Sequence, residues 1–267
     1  MNWKRIGILA WFDLYHSILK LKGLVFLIPF CLFWYWTLKF LLENGGKLSS
    51  GYKGIAFLSM LYKPEIAQVL LVLHPPTLSM FFIIILATVP FFAMLSGNDQ
   101  LASDTGGQTF RFLLTRCTRG EIFISRFISN YLLFAIPVIV AALAATAISI
   151  HVDQRSVMET IDYSLHITIL ILIYMLPFVG FMSAVSALMS SGLGALLMGA
   201  TFYTLLLMVG GFINYKFGTD IFLVPSGLKE SLLDINHYDL QTGIGGLIGF
   251  ACVYTTFGWF IFRQRNI

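Results

Sequence analysis

The sequence predicts an all-α polytopic membrane protein, a single transmembrane domain over 1–267 with six membrane-spanning helices behind an N-terminal interfacial amphipathic helix. Three observations carry that expectation. Of 267 residues, 58% are hydrophobic and 11% are charged, whereas a soluble domain carries about a quarter charged residues. The apolar residues gather in six blocks, at about 24–43, 77–96, 127–150, 166–189, 194–215 and 241–262, each close to the roughly 20 residues a helix needs to cross the hydrocarbon layer. The blocks are continuous and do not alternate, which argues against a transmembrane barrel. Only helices and closed barrels satisfy every backbone polar group in lipid, so the blocks are read as helices.

Taken in order, residues 1–22 open the chain. Trp3, Ile6, Ala10, Leu14, Ile18 and Leu21 recur at spacings of three and four, while Lys4, Arg5, Asp13, His16, Lys20 and Lys22 fall mostly elsewhere. With Trp3 and Trp11 as anchors, this is an amphipathic helix lying in the membrane interface. After the first span, 44–76 begins with Gly, Ser and Lys and then carries apolar pieces around Gly54–Tyr62 and Ile66–Leu73, so short surface helices are expected before His74-Pro75-Pro76 stops them. The segment 97–126 separates spans two and three, and the polar segment 151–165 separates spans three and four. Ser190-Ser191-Gly192-Leu193 is short enough to make spans four and five a tight antiparallel hairpin. Residues 216–240 are too apolar for a plain loop and too short to span, which predicts a re-entrant or interfacial element. Ala141 with Ala145, Gly180 with Ala184 and Gly245 with Gly249 offer small residues one helical turn apart for close helix approach. Pro90, Pro137 and Pro177 lie inside spans and can kink them.

Basic residues set the orientation. An even number of spans puts both termini on one side, and that side holds Lys4, Arg5, Lys20, Lys22, Arg111, Arg116, Arg119, Arg126, Arg263 and Arg265. The other side holds Lys47, Lys53, Lys63, Arg155, Lys216 and Lys229. The excess predicts cytoplasmic termini and a cytoplasmic 97–126 segment. The formal net charge of +4 is therefore a topology signal and carries no nucleic-acid signature. The three cysteines show neither a disulfide framework nor metal spacing. The N-terminal stretch, interrupted at Asp13, is not expected to be a cleavable signal peptide.

Several chemistries are excluded by residues that the chain lacks. There is no GxxxxGK[ST], HExxH or Gly-x-Ser-x-Gly, so no P-loop nucleotide site, zinc protease or serine hydrolase is expected. The apolar blocks hold almost no ionisable residue, with Lys39 near the outer end of the first, and this argues against intramembrane proteolysis and proton coupling. His74, His151, His166 and His237 all fall on the outer side, but none forms a ligand pair on one helix, and no metal or cofactor is expected on this chain.

The segment 98–126 holds the densest arginine cluster. An acidic residue at Asp104, a threonine at Thr109, the pair Leu113-Leu114, then Thr118-Arg119 and a basic residue at Arg126 follow at fixed intervals. This order resembles the cytoplasmic coupling region between the second and third spans of ABC type-2 transporter permeases, a family that includes permeases tied to copper-enzyme maturation. The family pattern has glycine where this chain has Gln108, proline where it has Cys117, and lysine where it has Arg126. The layout of the whole chain is similar as well: an interfacial helix, six spans, and an apolar outer element between spans five and six.

The resemblance implies a type-2 ABC exporter-like fold, and a non-catalytic permease subunit in a bacterial inner (cytoplasmic) membrane. It implies two copies of a cytoplasmic ABC ATPase carrying the ATP and Mg, and a second permease copy or paralogue, with helices including the second and fifth spans between them. The residues expected to meet the ATPase are Asp99, Asp104, Thr109, Phe110, Arg111, Leu113, Leu114, Arg116, Thr118, Arg119 and Arg126. Physically, Phe110, Leu113 and Leu114 are apolar anchors ringed by charge, as a protein interface requires; the same pattern also suits packing on the bilayer surface with arginines on anionic lipid. The rival expectation is a mechanotransmitting or assembly-factor subunit that passes ATPase motion to a periplasmic protein without moving a substrate, docking through 44–76 and 216–240.

Overall fold

The computed structural model describes residues 2–19, 21–49, 66, 69–102, 114, 116–153, 155–217, 222–233 and 239–265. The long elements are α1 (Trp3–Leu19), α2 (Leu21–Ser49), α3 (Pro76–Gly97), α4 (Arg119–Val152), α5 (Val157–Leu188), α6 (Gly192–Phe217) and α8 (Asp239–Gln264). A π-helical turn (Val69–Leu73) precedes α3, and a 3-10 turn (Pro225–Leu228) runs into the one-turn helix α7 (Lys229–Leu233). Six helices, α2 to α6 and α8, are long and apolar enough to cross a membrane, and no strand occurs among the described residues. The protein is an all-α multi-pass membrane protein, because in lipid each span must close its own backbone hydrogen bonds.

The layers follow from burial. The most apolar stretches of α3 and α5 are 67% and 72% buried, whereas those of α2, α6 and α8 are only 22%, 17% and 11% buried. So α3, α4 and α5 form the centre, and α2, α6 and α8 lie round it with one face outward. Where α2, α3 and α4 meet, Phe26, Phe30, Phe92 and Phe134 interlock edge to face at centroid distances of 5.0 to 6.4 Å, a geometry that adds about 0.5–1.5 kcal/mol per pair beyond burial. The predicted face of α1 is split. Ile6, Ala10 and Leu14 are buried against the bundle, mainly on α4, while Trp3 and Ile18 at its ends stay exposed.

Small residues decide how closely α8 approaches α5. A Cβ on Gly258 would lie 2.9 Å from the Ala184 Cα, and one on Gly180 would lie 2.9 Å from the Thr255 side chain and 3.4 Å from the Ala251 carbonyl. The Gly180/Ala184 pair read from sequence is thus the contact surface for α8, the closest neighbour of α5. Gly245 and Gly249, the other glycine pair, have open space where their side chains would be. All three flagged prolines sit inside continuous helices.

Two of the expected outer segments take definite form. The stretch 157–165 forms about the first two and a half turns of α5, so α5 starts well before the apolar block at 166. At the same end of the bundle, Asp153 accepts from the Thr77 hydroxyl (2.6 Å), the Thr77 amide (3.2 Å) and the Ser149 hydroxyl (2.7 Å). Arg155 donates to the carbonyls of Val72 and Leu73, and His74 stacks on Tyr163 at 4.4 Å. These bonds tie the entry of α3 to the α4–α5 connection. The expected short helix at Gly54–Tyr62 lies outside the described residues.

Candidate functional site: the collar at the terminal end and a mid-depth cleft

At the end of the bundle where both termini lie, four helix ends are satisfied by side chains of the arginine-rich region and its neighbours. Thr118 caps α4: its hydroxyl accepts from the Glu121 amide (3.4 Å), and the Glu121 carboxylate accepts from the Thr118 amide (3.0 Å). This reciprocal pair satisfies two donors that a helix start otherwise leaves orphaned. Glu121, only 3% exposed, also accepts from the Asn2 amide at 2.8 Å and so fixes the start of α1 beside the start of α4. Farther along, Arg126 forms an ion pair with Asp13 of α1 at 2.8 Å, their side chains 20% and 10% exposed.

Arginines close the opposite helix ends. Arg119 donates to the carbonyls of Arg263 (2.7 Å), Arg265 (2.8 Å) and, more weakly, Phe262 (3.4 Å) at the end of α8. Arg265 in turn donates to the carbonyls of Ala187 (2.5 Å) and Met189 (2.9 Å) at the end of α5. A guanidinium at a helix C-terminus meets both the orphan carbonyls and the negative end of the dipole. The Asp99 carboxylate lies against Gly192, the first residue of α6, where the dipole favours an anion.

The chain leaving α3 is stitched to α5. The Ser186 hydroxyl accepts from the backbone amides of Leu101 (2.9 Å) and Ala102 (3.1 Å), and the Ser183 hydroxyl donates to the Gln100 side-chain oxygen Oε1 at 2.9 Å. Beneath this lies a small apolar core of Leu101, Ile122, Phe123, Ala187 and Phe262, with Leu114, Cys117 and Trp259 packed on it. The two flanks of 103–113 are therefore rooted on α4, α5 and α8.

The expected site residues divide accordingly. Asp99, Leu114, Thr118, Arg119 and Arg126 are all brought together within the collar. Arg116 is exposed and takes part through its carbonyl, which accepts weakly from Arg5 at 3.4 Å. Asp104, Thr109, Phe110, Arg111 and Leu113 lie outside the described residues. Glu121, Asp13 and Arg265 were missed. The Thr118-x-x-Glu121 capping box was a visible signal for the first, while the other two depend on helices distant in sequence.

A second feature lies within 216–240, where a re-entrant or interfacial element is expected: Leu223 packs against Gly210 of α6 and Leu228 against Gly246 of α8. Lys229 and Ser226 thereby line a cleft of about 400 Å³ together with Tyr203 of α6 and Tyr174 of α5. Tyr203 lies eleven residues past the start of α6 and fourteen before its end, about 17 and 21 Å along the axis at 1.5 Å per residue. The cleft thus reaches the middle of α6, and Lys229 is among its lining residues. Apolar residues of α3, among them Leu86, Pro90, Phe91 and Met94, form the other wall.

Among the described residues, no group of three histidine, cysteine or acidic side chains is placed to hold a metal ion. No curated protein matches this chain. The family of ABC-2 family transporter proteins matches it over residues 8–239, from within α1 to the start of α8, enclosing the 98–126 segment and the cleft. Six apolar spans, a side-chain-capped collar and that match together place the chain in the ABC-2 transporter family, as a multi-pass permease subunit of an ABC transporter.

Proposed function

We propose that this permease is the membrane half of an ATP-driven exporter and takes its energy from a separate ATPase docked on the 98–126 segment. The observation that carries the reading is the way the segment is rooted. Both of its flanks are locked to helix ends, by Ser183 and Ser186 on one side and by Thr118, Glu121 and Arg119 on the other. A push on 103–113 would be transmitted to α4, α5 and α8 instead of dissipating in a loose connection. The chain has no P-loop, so ATP and Mg belong to the partner, and this subunit does no bond chemistry itself.

The charge asymmetry puts the collar in the cytoplasm of a bacterial inner membrane. Two copies, or this chain and a paralogue, pair over two ATPases. In α6 only Ala195, Gly199, Tyr203 and Gly210 are buried, which leaves a long apolar face for that pairing. The cleft lined in part by Tyr203, Ser226 and Lys229 supports transport over the rival mechanotransmitting reading, in which a dry apolar seam would suffice.

Affinity purification of the chain in mild detergent, with mass spectrometry of the co-purifying proteins, tests the reading. An ABC ATPase is the expected partner, and its absence would overturn the proposal. Arg111→Glu combined with Leu113→Asp is expected to abolish recovery of the ATPase while leaving the melting temperature of the permease unchanged.

A further inference from the structure

We infer that the outward face of α1 docks on anionic phospholipid, with its aromatic side chains in the acyl boundary and Lys4 and Arg5 on the headgroup phosphates. The helix is apolar on two opposite sides. Ile6, Ala10 and Leu14 are buried on the bundle side. On the other side Lys4, Ile8, Trp11 and Tyr15 follow one another at helical spacing, with Phe12 beside them. Ile8 and Trp11 are each 70% exposed, and Phe12 and Tyr15 are more than half exposed. A helix that is apolar all round is covered all round, and the bundle covers one side alone.

Inclination and charge make that cover a lipid surface of negative sign. The Asn2 amide meets Glu121 of α4 at 2.8 Å, and Asp13 meets Arg126 of α4 at 2.8 Å. About 16 Å of α1 therefore advances only about 8 Å along α4, at 1.5 Å per residue. With α4 a span, α1 lies closer to the membrane plane than to its normal. Trp and Tyr on its open side then sit at the headgroup level, where such rings collect. Lys4 and Arg5 are exposed, and among the described residues neither forms an ion pair with a carboxylate. Arg5 gives one of its five donors, weakly, to the Arg116 carbonyl. The acids described at this end are turned to other partners: Asp13 to Arg126, Glu121 to two backbone amides, and Asp99 to the start of α6. A phosphate therefore meets two cations and no competing carboxylate, and this attraction adds to the burial of the rings. The inference goes beyond the coupling reading, because docking on lipid requires no ATPase.

The test uses the full chain in nanodiscs of phosphatidylcholine. Separate samples carry a trace of phosphatidylglycerol or of phosphatidylcholine with a diazirine in the acyl chain, and labelled peptides are mapped by mass spectrometry. At low salt the phosphatidylglycerol probe should label the α1 peptide around Ile8–Tyr15 about thirtyfold more than the phosphatidylcholine probe, roughly fivefold for each basic residue at an anionic surface. Raising the salt to about 1 M should shrink that ratio. Lys4→Gln with Arg5→Gln should bring it close to one, whereas Lys4→Arg with Arg5→Lys should retain it. Both positions are exposed, so neither double variant disturbs a packed contact. Equal labelling by the two probes in the unaltered chain, or a preference that survives Lys4→Gln with Arg5→Gln, overturns the inference. Absence of α1 labelling by either probe overturns it too and assigns the face to a protein. No ATPase is present in the assay, so its outcome is independent of whether one is recovered with the permease.

Discussion

At the scale of single residues, the collar contains side chains whose loss exposes buried partners. Glu121 accepts from two backbone amides, those of Asn2 and Thr118. Glu121→Ala removes the acceptor of both bonds and half of the α4 capping box, and a lowered melting temperature in detergent is the measurement. The Asp13–Arg126 pair is largely shielded from solvent. Asp13→Ala removes one partner of the shielded Arg126 guanidinium and should lower the melting temperature, whereas the exchange Asp13→Arg with Arg126→Asp should recover part of that loss; equal damage from the single and double variants would refute the pairing.

His74, at the other end, is held below its ordinary value of 6.5, first by burial and next by Arg155, while Glu159 pulls weakly the other way and His166 adds to the depression. The folded protein therefore favours the neutral ring. The stability this contributes is present above pH 6.5 and is lost as pH falls through the lower folded-state value. The melting temperature should drop on acidification below about 6.5, and less so in His74→Gln, which takes no proton.

At the scale of elements, α8 owes its position to small residues on α5. The Gly258 Cα faces the Ala184 backbone so closely that any Cβ there meets main chain at 2.9 Å, which cannot swing aside. Gly258→Val should force α5 and α8 apart and cost about 1–3 kcal/mol. Gly249→Val, on the open face of the same helix, should leave the monomer's melting temperature unaltered. That pair of variants separates packing within the chain from any general effect of a bulkier helix. The sequence showed Gly180 and Ala184 as a close-approach pair, yet it gave Gly245 and Gly249 equal weight. Spacing reports that a helix can approach another closely, but only the tertiary arrangement says which small face is used.

At the scale of the whole molecule, the collar and the 103–113 segment make separable contributions. Arg119→Glu removes the cap on the end of α8 and places a carboxylate against three carbonyls, so it should lower stability and ATPase recovery together. Arg111→Glu with Leu113→Asp should lower ATPase recovery alone. If Arg119→Glu melts like the unaltered chain, the cap contributes nothing, and the braced-root argument for coupling falls with it.

What the sequence determined by itself was the solvent and the number of crossings. Six continuous apolar blocks have one solution in lipid, because each span must satisfy its own backbone, and that constraint is local. The segment between the second and third spans was legible for a similar reason, since its charges and turn residues stand out against an apolar background. The partners of those charges were not legible. Arg119, Arg126 and Arg265 reach carbonyls or a carboxylate up to 146 positions away, and such pairings exist only once the helices stand side by side. Lys229 shows the same limit from the other direction. The apolar character of 216–240 marks it as re-entrant or interfacial, but only the fold places Lys229 in the lining of the cleft beside Tyr203 and Ser226. Hydropathy fixes which segments enter the bilayer as spans, but the depth of a short re-entrant element is set by the packing of Leu223 and Leu228 against glycines on two other helices.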